Sequence, residues 1–388
     1  MSDCAKMAVV ATHQLSQCIS AHAWNASLTM IAVSQNSNEV HIYKGTPTAT
    51  SNWERVHVLQ KHDQLVSGVD WAPISNYIVT CSHDRNSYVW SFDGAQWQPT
   101  LVILRLNRAA ISVDWSPKEN KFVVGSGARS VCVCYYEPDN NWWVSKIIRK
   151  KHGSTVTAAA WHPNNLLIAT TSTDGKCRVF SAYIKGVDSK INPGTTFADT
   201  KFGEQLLQLD LAVGWTFGVK WSPSGNSLAY VGHDSTVHIA TNVVGTSTMT
   251  QSVKLRQLPL RDVLFLSETR LVGGGFDCNP MLFEIDKTGV WTFIRFLDEA
   301  KGAVDIKSST LFLEAMGRFH SQTKRGTNDA VEPSRAHGYA HDNCITCIVP
   351  LAPPGKRTVD AFSTSGMDGR VVIWSFGNIQ QVLSKLEI

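Results

Sequence analysis

A short unit repeats along this chain, and the repeat restricts the fold more than any other feature. An apolar run ends in an aromatic and a small residue, often with Pro next; a polar turn, a second run, an Asp-containing turn and a third run follow. The first aromatics are Trp24, Trp71, Trp115 and Trp161, at steps of 47, 44 and 46 residues. Trp221 follows after a longer step, and Phe265 stands 44 residues beyond it. Trp71-Ala72-Pro73, Trp115-Ser116-Pro117, Trp161-His162-Pro163 and Trp221-Ser222-Pro223 show the unit most plainly. An acidic residue recurs six positions before the end of the third run: Asp84 before Trp90, Asp174 before Phe180, Asp234 before Ala240, Asp277 before Phe283 and Asp368 before Trp374. A tight turn favours Asp because its carboxylate bonds to nearby backbone amides.

Periods in the forties with mostly β content indicate the blades of a WD-repeat β-propeller. The length of 388 residues alone suggests two or three domains, and the repeat overrules that prior in favour of one all-β, seven-bladed propeller over residues 1–388. The units run over about 18–58, 59–104, 105–150, 151–205, 206–257, 258–298 and 339–376. The third and sixth are degenerate, and the third is read with Arg129 at the turn Asp position. A ring must close without leaving an edge strand exposed, and Met7 to Leu15 is the natural outer strand for the last blade.

Composition sets outer limits. Hydrophobic residues at 43% and charged residues at 18% exclude a disordered chain. No run of about 18 apolar residues is present and the apolar stretch near the start is too short for a signal peptide, so a soluble intracellular protein is expected. Lys and Arg total 36 against 32 Asp and Glu, a mild excess that favours acidic partners without marking a nucleic-acid binder. Nine scattered cysteines read as reduced thiols; the pair Cys344 and Cys347 has no second pair at zinc-site spacing.

Several constellations resemble chemistry. His62, Ser82, Asp84 and Trp90 share one unit, and His341, Thr364, Asp368 and Trp374 share another. Their repetition argues for hydrogen bonding inside the blades, since an enzyme needs one nucleophile rather than a set per unit. An enzymatic propeller requires ionisable residues converging on the central channel, and these sets are expected within blades instead. The chain lacks P-loop, GxGxxG, HExxH and GxSxG patterns, so no cofactor is expected. Gly273-Gly274-Gly275 falls in a second strand, where close strand packing explains it. Basic residues cluster at Arg105 and Arg108 and at Arg149-Lys150-Lys151, the latter near Trp142-Trp143 in sequence; aromatics beside cations are suited to gripping an acidic peptide. Finally, residues 299–338 fit no blade. Within this arm, Phe312, Met316 and Phe319 share one face of an expected short amphipathic helix, suited to a partner's groove or to the chain's own propeller.

Blocks more specific than the WD pattern run along nearly the whole chain. They include Pro99-Thr100-Leu101-Val102-Ile103-Leu104-Arg105-Leu106-Asn107-Arg108, Asn141-Trp142-Trp143-Val144, Trp161-His162-Pro163-Asn164-Asn165 and Phe180-Ser181-Ala182-Tyr183-Ile184-Lys185. These closely resemble the family of subunit 1 of the actin-related protein 2/3 complex. The resemblance implies a non-catalytic subunit, in the cytoplasm at the actin cytoskeleton, that packs against other subunits of a branched-actin nucleator. It also implies a share in docking the acidic tails of nucleation-promoting factors, with the Phe312/Met316/Phe319 helix toward actin or an actin-related subunit. The alternative is a generic WD adaptor, such as a ubiquitin-ligase substrate receptor.

Overall fold

The computed structural model describes residues 7–48, 53–189, 200–245, 247–298, 339–353 and 355–376. Among the described residues, twenty-eight strands form seven four-stranded antiparallel sheets. Blade 1 is β2 (Ala21–Trp24), β3 (Met30–Ser34), β4 (Glu39–Lys44) and β5 (Glu54–Gln60), and blade 2 is β6 (Val66–Trp71), β7 (Ile78–Ser82), β8 (Ser87–Phe92) and β9 (Trp97–Val102). Blades 3 to 6 repeat this order: β10 (Ala110–Trp115) to β13 (Trp142–Ile148), β14 (Val156–Trp161) to β17 (Gln205–Leu209), β18 (Thr216–Trp221) to β21 (Met249–Lys254), and β22 (Leu260–Ser267) to β25 (Trp291–Phe296). Blade 7 takes β26 (Ile345–Pro350), β27 (Ala361–Gly366) and β28 (Arg370–Phe376) from the end of the chain, and β1 (Met7–Gln14) from its start. Met7 pairs with Phe376 and Gln14 with Arg370, so the closing strand falls where the sequence places it.

Short β-branched and aromatic runs, each ended by Asn, Gly or Asp turns, explain the strands. The second strands of blades 2 to 5 are buried at every position, because a blade is covered on both faces by its neighbours. The core therefore consists of layers between blades. Val79, Val89 and Val102 of blade 2 pack on Phe122, Val124 and Trp143 of blade 3, for example. The glycine run behaves as a packing device: a Cβ on Gly273 would lie 2.5 Å from Leu260, and one on Gly274 2.8 Å from Ile345 of the next blade.

The long step from Trp161 to Trp221 reflects an extended connection between β16 (Cys177–Ser181) and β17. Its root is held by a buried ion pair. The Lys121 ammonium, wholly buried, lies 2.7 Å from both oxygens of Asp188 and donates to the carbonyls of Asn165 and Ala182. All three ammonium donors are thus satisfied, which is the condition for tolerating a buried charge.

Candidate functional site

The repeated His, Asp and Trp residues form closed networks inside blades. In blade 2, His62 Nδ1 lies 2.7 Å from Asp84 Oδ2 and Nε2 lies 2.8 Å from Thr80 Oγ1, to which the Trp90 indole donates at 3.0 Å. The tautomer with Nδ1 donating to Asp84 lets Nε2 accept the Thr80 hydroxyl proton, so each group is used once. Blade 7 repeats this with His341, Asp368, Thr364 and Trp374. In blade 4, Phe180 replaces the Trp, and the Arg178 guanidinium bridges His152 and Asp174. The hydroxyl of the blade 2 network is therefore Thr80, not Ser82. Ser82 donates instead to the Gln64 carbonyl and accepts the Asp84 amide. It is two residues from Asp84 and Thr80 is four; only the latter spacing matches Thr364 in blade 7 and Thr170 in blade 4.

The recurrent Asp also ties each turn to the incoming link from the previous blade. Asp84 accepts the Asp63 amide, Asp174 that of Gly153, Asp234 that of Val213, Asp277 that of Leu258 and Asp368 that of Asp342. Links between blades and turns between second and third strands consequently share one face of the ring. In blade 3 the pairing of Phe122 with Cys134 puts Ala128, not Arg129, at the Asp position. Arg129 takes the left-handed backbone position (φ 57°), as does Arg85 in blade 2 (φ 74°).

On that face Arg105, Arg108, Arg149, Lys150 and Lys151 are exposed across the links into blades 3 and 4. Arg85 and Arg129, which motif reasoning passed over, stand exposed at the neighbouring turn tips and extend the surface over blades 2 to 4. Trp142 and Trp143 do not belong to this patch. Trp143 is buried against Trp115 and Phe122, and Trp142 is at the opposite end of β13. Strand rise places it roughly 20 Å from the basic link. Exposed Val213, Trp215, Leu258, Phe276 and Met367 lie on the links and turns of blades 5 to 7. The Phe312, Met316 and Phe319 segment lies outside the described residues. Its roots leave from the same face, where the Asp298 carboxylate accepts the Ala340 amide and Asn279 clasps the Asp298 backbone.

Other ionisable groups, outside the repeated sets, converge on the central channel. Asp70, Asp114, Lys220, Asp262 and Cys347 line a cavity of about 580 Å³ between the innermost strands. Both Asp70 and Asp262 accept backbone amides from their own strand and from the next blade. Burial pushes the Asp70 carboxyl up to about 7, with the Asp114 charge adding to it. Burial also holds the Cys347 thiol up at about 12, so it is protonated at neutral pH.

These features define a WD-repeat β-propeller whose exposed chemistry lies on its surface. The family model described as WD domain, G-beta repeat matches residues 53–91, 143–181 and 334–375. The first two matches join the outer strand of one blade to three strands of the next. Relatives resemble the chain from end to end. It is 59% identical to actin-related protein 2/3 complex subunit 1B of Arabidopsis thaliana, over 97% of this chain and 99% of that protein. Identity is 44% to subunit 1A-B of Xenopus laevis, over 95% and 97%, and 38% to subunit 1 of Schizosaccharomyces pombe, over 91% and 96%. The chain belongs to the family of actin-related protein 2/3 complex subunit 1.

Proposed function

We propose that this chain is the non-catalytic propeller subunit of an actin-related protein 2/3 complex, working in the cytoplasm at the actin cytoskeleton. The observation that carries this reading is end-to-end similarity to proteins named as that subunit in a plant, a vertebrate and a yeast. The propeller packs against other subunits of the complex. Its basic surface, Arg105, Arg108, Arg149, Lys150 and Lys151, docks the acidic tails of nucleation-promoting factors. The arm helix carrying Phe312, Met316 and Phe319 contacts actin or an actin-related subunit. What supports the docking surface is seven exposed cations, counting Arg85 and Arg129, on one face of blades 2 to 4.

Exposed charges act mainly by steering encounter and are screened by salt. Arg149→Glu with Lys150→Glu and Lys151→Glu therefore weakens acidic-tail binding by reconstituted complex, and the loss shrinks as salt rises. Titration of a labelled tail at low and high ionic strength measures it. Unchanged affinity at low salt removes this patch from the site.

A further inference from the structure

We propose that Lys220 is the shared counter-ion of three channel carboxylates, Asp70, Asp114 and Asp262, which staple neighbouring blades together, and that this girdle makes closure of the ring respond to pH. The staples are hydrogen bonds from backbone amide to carboxylate. Asp70 of blade 2 accepts the Trp115 amide of blade 3 at 2.7 Å, and Asp114 accepts the Trp161 amide of blade 4 at 3.0 Å. Asp262 of blade 6 accepts the Ile348 amide of blade 7 at 2.9 Å. Lys220 stands in blade 5, between the two groups of staples. It directly precedes Trp221, just as Asp70 precedes Trp71 and Asp114 precedes Trp115. The inward position that carries an acid in two blades thus carries the neutralising cation in a third. Blade 4 contributes only Ala160 there.

The other titratable groups lining this cavity are Arg261, next to Asp262, Cys347 of blade 7, His22 of blade 1 and Lys356, whose ammonium pairs with Asp360 at 3.0 Å. His22 is held between Ser363 and Ser365, and burial lowers its pKa to about 3, so it brings no charge at neutral pH. Lys220 forms no close ion pair with any one carboxylate among the described residues. Burial works against its ammonium, but Asp114, Asp262, Cys347 and Asp70 outweigh that and raise its pKa. Burial raises the pKa of all three carboxyls, with Lys220 opposing the rise at each and Arg261 opposing it further at Asp262.

The sign of the pH effect follows. A carboxyl raised from 3.8 to about 7 binds its proton more tightly in the folded ring than in the unfolded chain. Its contribution to stability is full below its unfolded value and is lost as pH rises through about 7. Buried neutral histidines act oppositely. His22 and His152, lowered to about 3 and about 4, cost stability as pH falls below 6.5. Differences between variants therefore isolate the girdle.

The test is thermal unfolding of the full chain between pH 5 and pH 8.5, comparing wild type with Asp70→Asn, Lys220→Met and Lys220→Arg. Asp70→Asn starts below wild type at pH 5, because its amide nitrogen cannot accept one of the two backbone N–H donors. Its deficit narrows by at least about 2 °C toward pH 8.5, since it cannot ionise. Lys220→Met falls progressively below Lys220→Arg as pH rises. A constant offset for Asp70→Asn across the range, or superimposable curves for the two Lys220 variants, overturns the proposal. If Lys220→Met fails to fold at pH 8 but folds at pH 5.5 while Lys220→Arg folds at both, the proposal stands; if it folds at neither, the Asp70→Asn comparison alone decides.

Discussion

At the scale of residues, the repeat carries more information than motif recognition extracts from it. Ser82, His62 and Asp84 attract attention because they spell a catalytic set, yet the structure uses Thr80. The signal lay in the offsets: Thr80, Thr170 and Thr364 each precede the turn Asp by four residues, which places them on the same strand face. Arg129 was misplaced by one position for a related reason. Without strand register, a degenerate turn gives no anchor, and the register puts Ala128 there. The network makes a double-mutant prediction. Thr80→Val costs roughly 1–3 kcal/mol by leaving a buried His and indole without their partner. Thr80→Val combined with Trp90→Phe shows a coupling of about 0.5–3 kcal/mol in denaturant unfolding, whereas Ser82→Ala with Trp90→Phe is additive. Coupling through Ser82 instead would return that hydroxyl to the network.

At the scale of elements, period, turn residues and apolar runs predicted the sheets, including the closing strand, because a two-sided blade writes its burial into short hydrophobic runs. What failed was a proximity argument. Trp142 and Trp143 are seven and six residues from Arg149, and a strand carries that separation across the blade; alternation then buries Trp143 and exposes Trp142. Side-chain partners across blades, such as Lys121 with Asp188, depend on three-dimensional stacking that no period encodes. The arm makes its own prediction at this scale. Its roots are tied by Asp298 to Ala340 and Asn279, so the ring is continuous beneath it. Phe312→Asp with Phe319→Asp leaves the propeller folded and incorporated in the complex while reducing branch formation or branch stability. Melting of the isolated chain and branching assays on reconstituted complex check this. A large fall in melting temperature would show that this segment packs on its own propeller.

At the scale of the molecule, ring closure brings together residues that are far apart in sequence. Asp70 and Asp262 are separated by 192 positions yet line one channel, which is why no sequence period singles them out. Their hydrogen bonds to backbone amides assign them to holding blades together. Meanwhile the basic surface and the roots of the arm open on one face, at different sectors of the ring. A propeller arranged in this way is suited to bridging several partners at once. The central claim, that the chain is subunit 1 of an actin-related protein 2/3 complex, is tested most directly by affinity purification of the tagged full chain under native conditions, with the stoichiometry of co-purifying proteins read by mass spectrometry. The account predicts one stoichiometric multi-subunit assembly containing two actin-related polypeptides. Recovery of the chain alone, or bound to a ubiquitin-ligase scaffold without actin-related proteins, would contradict it.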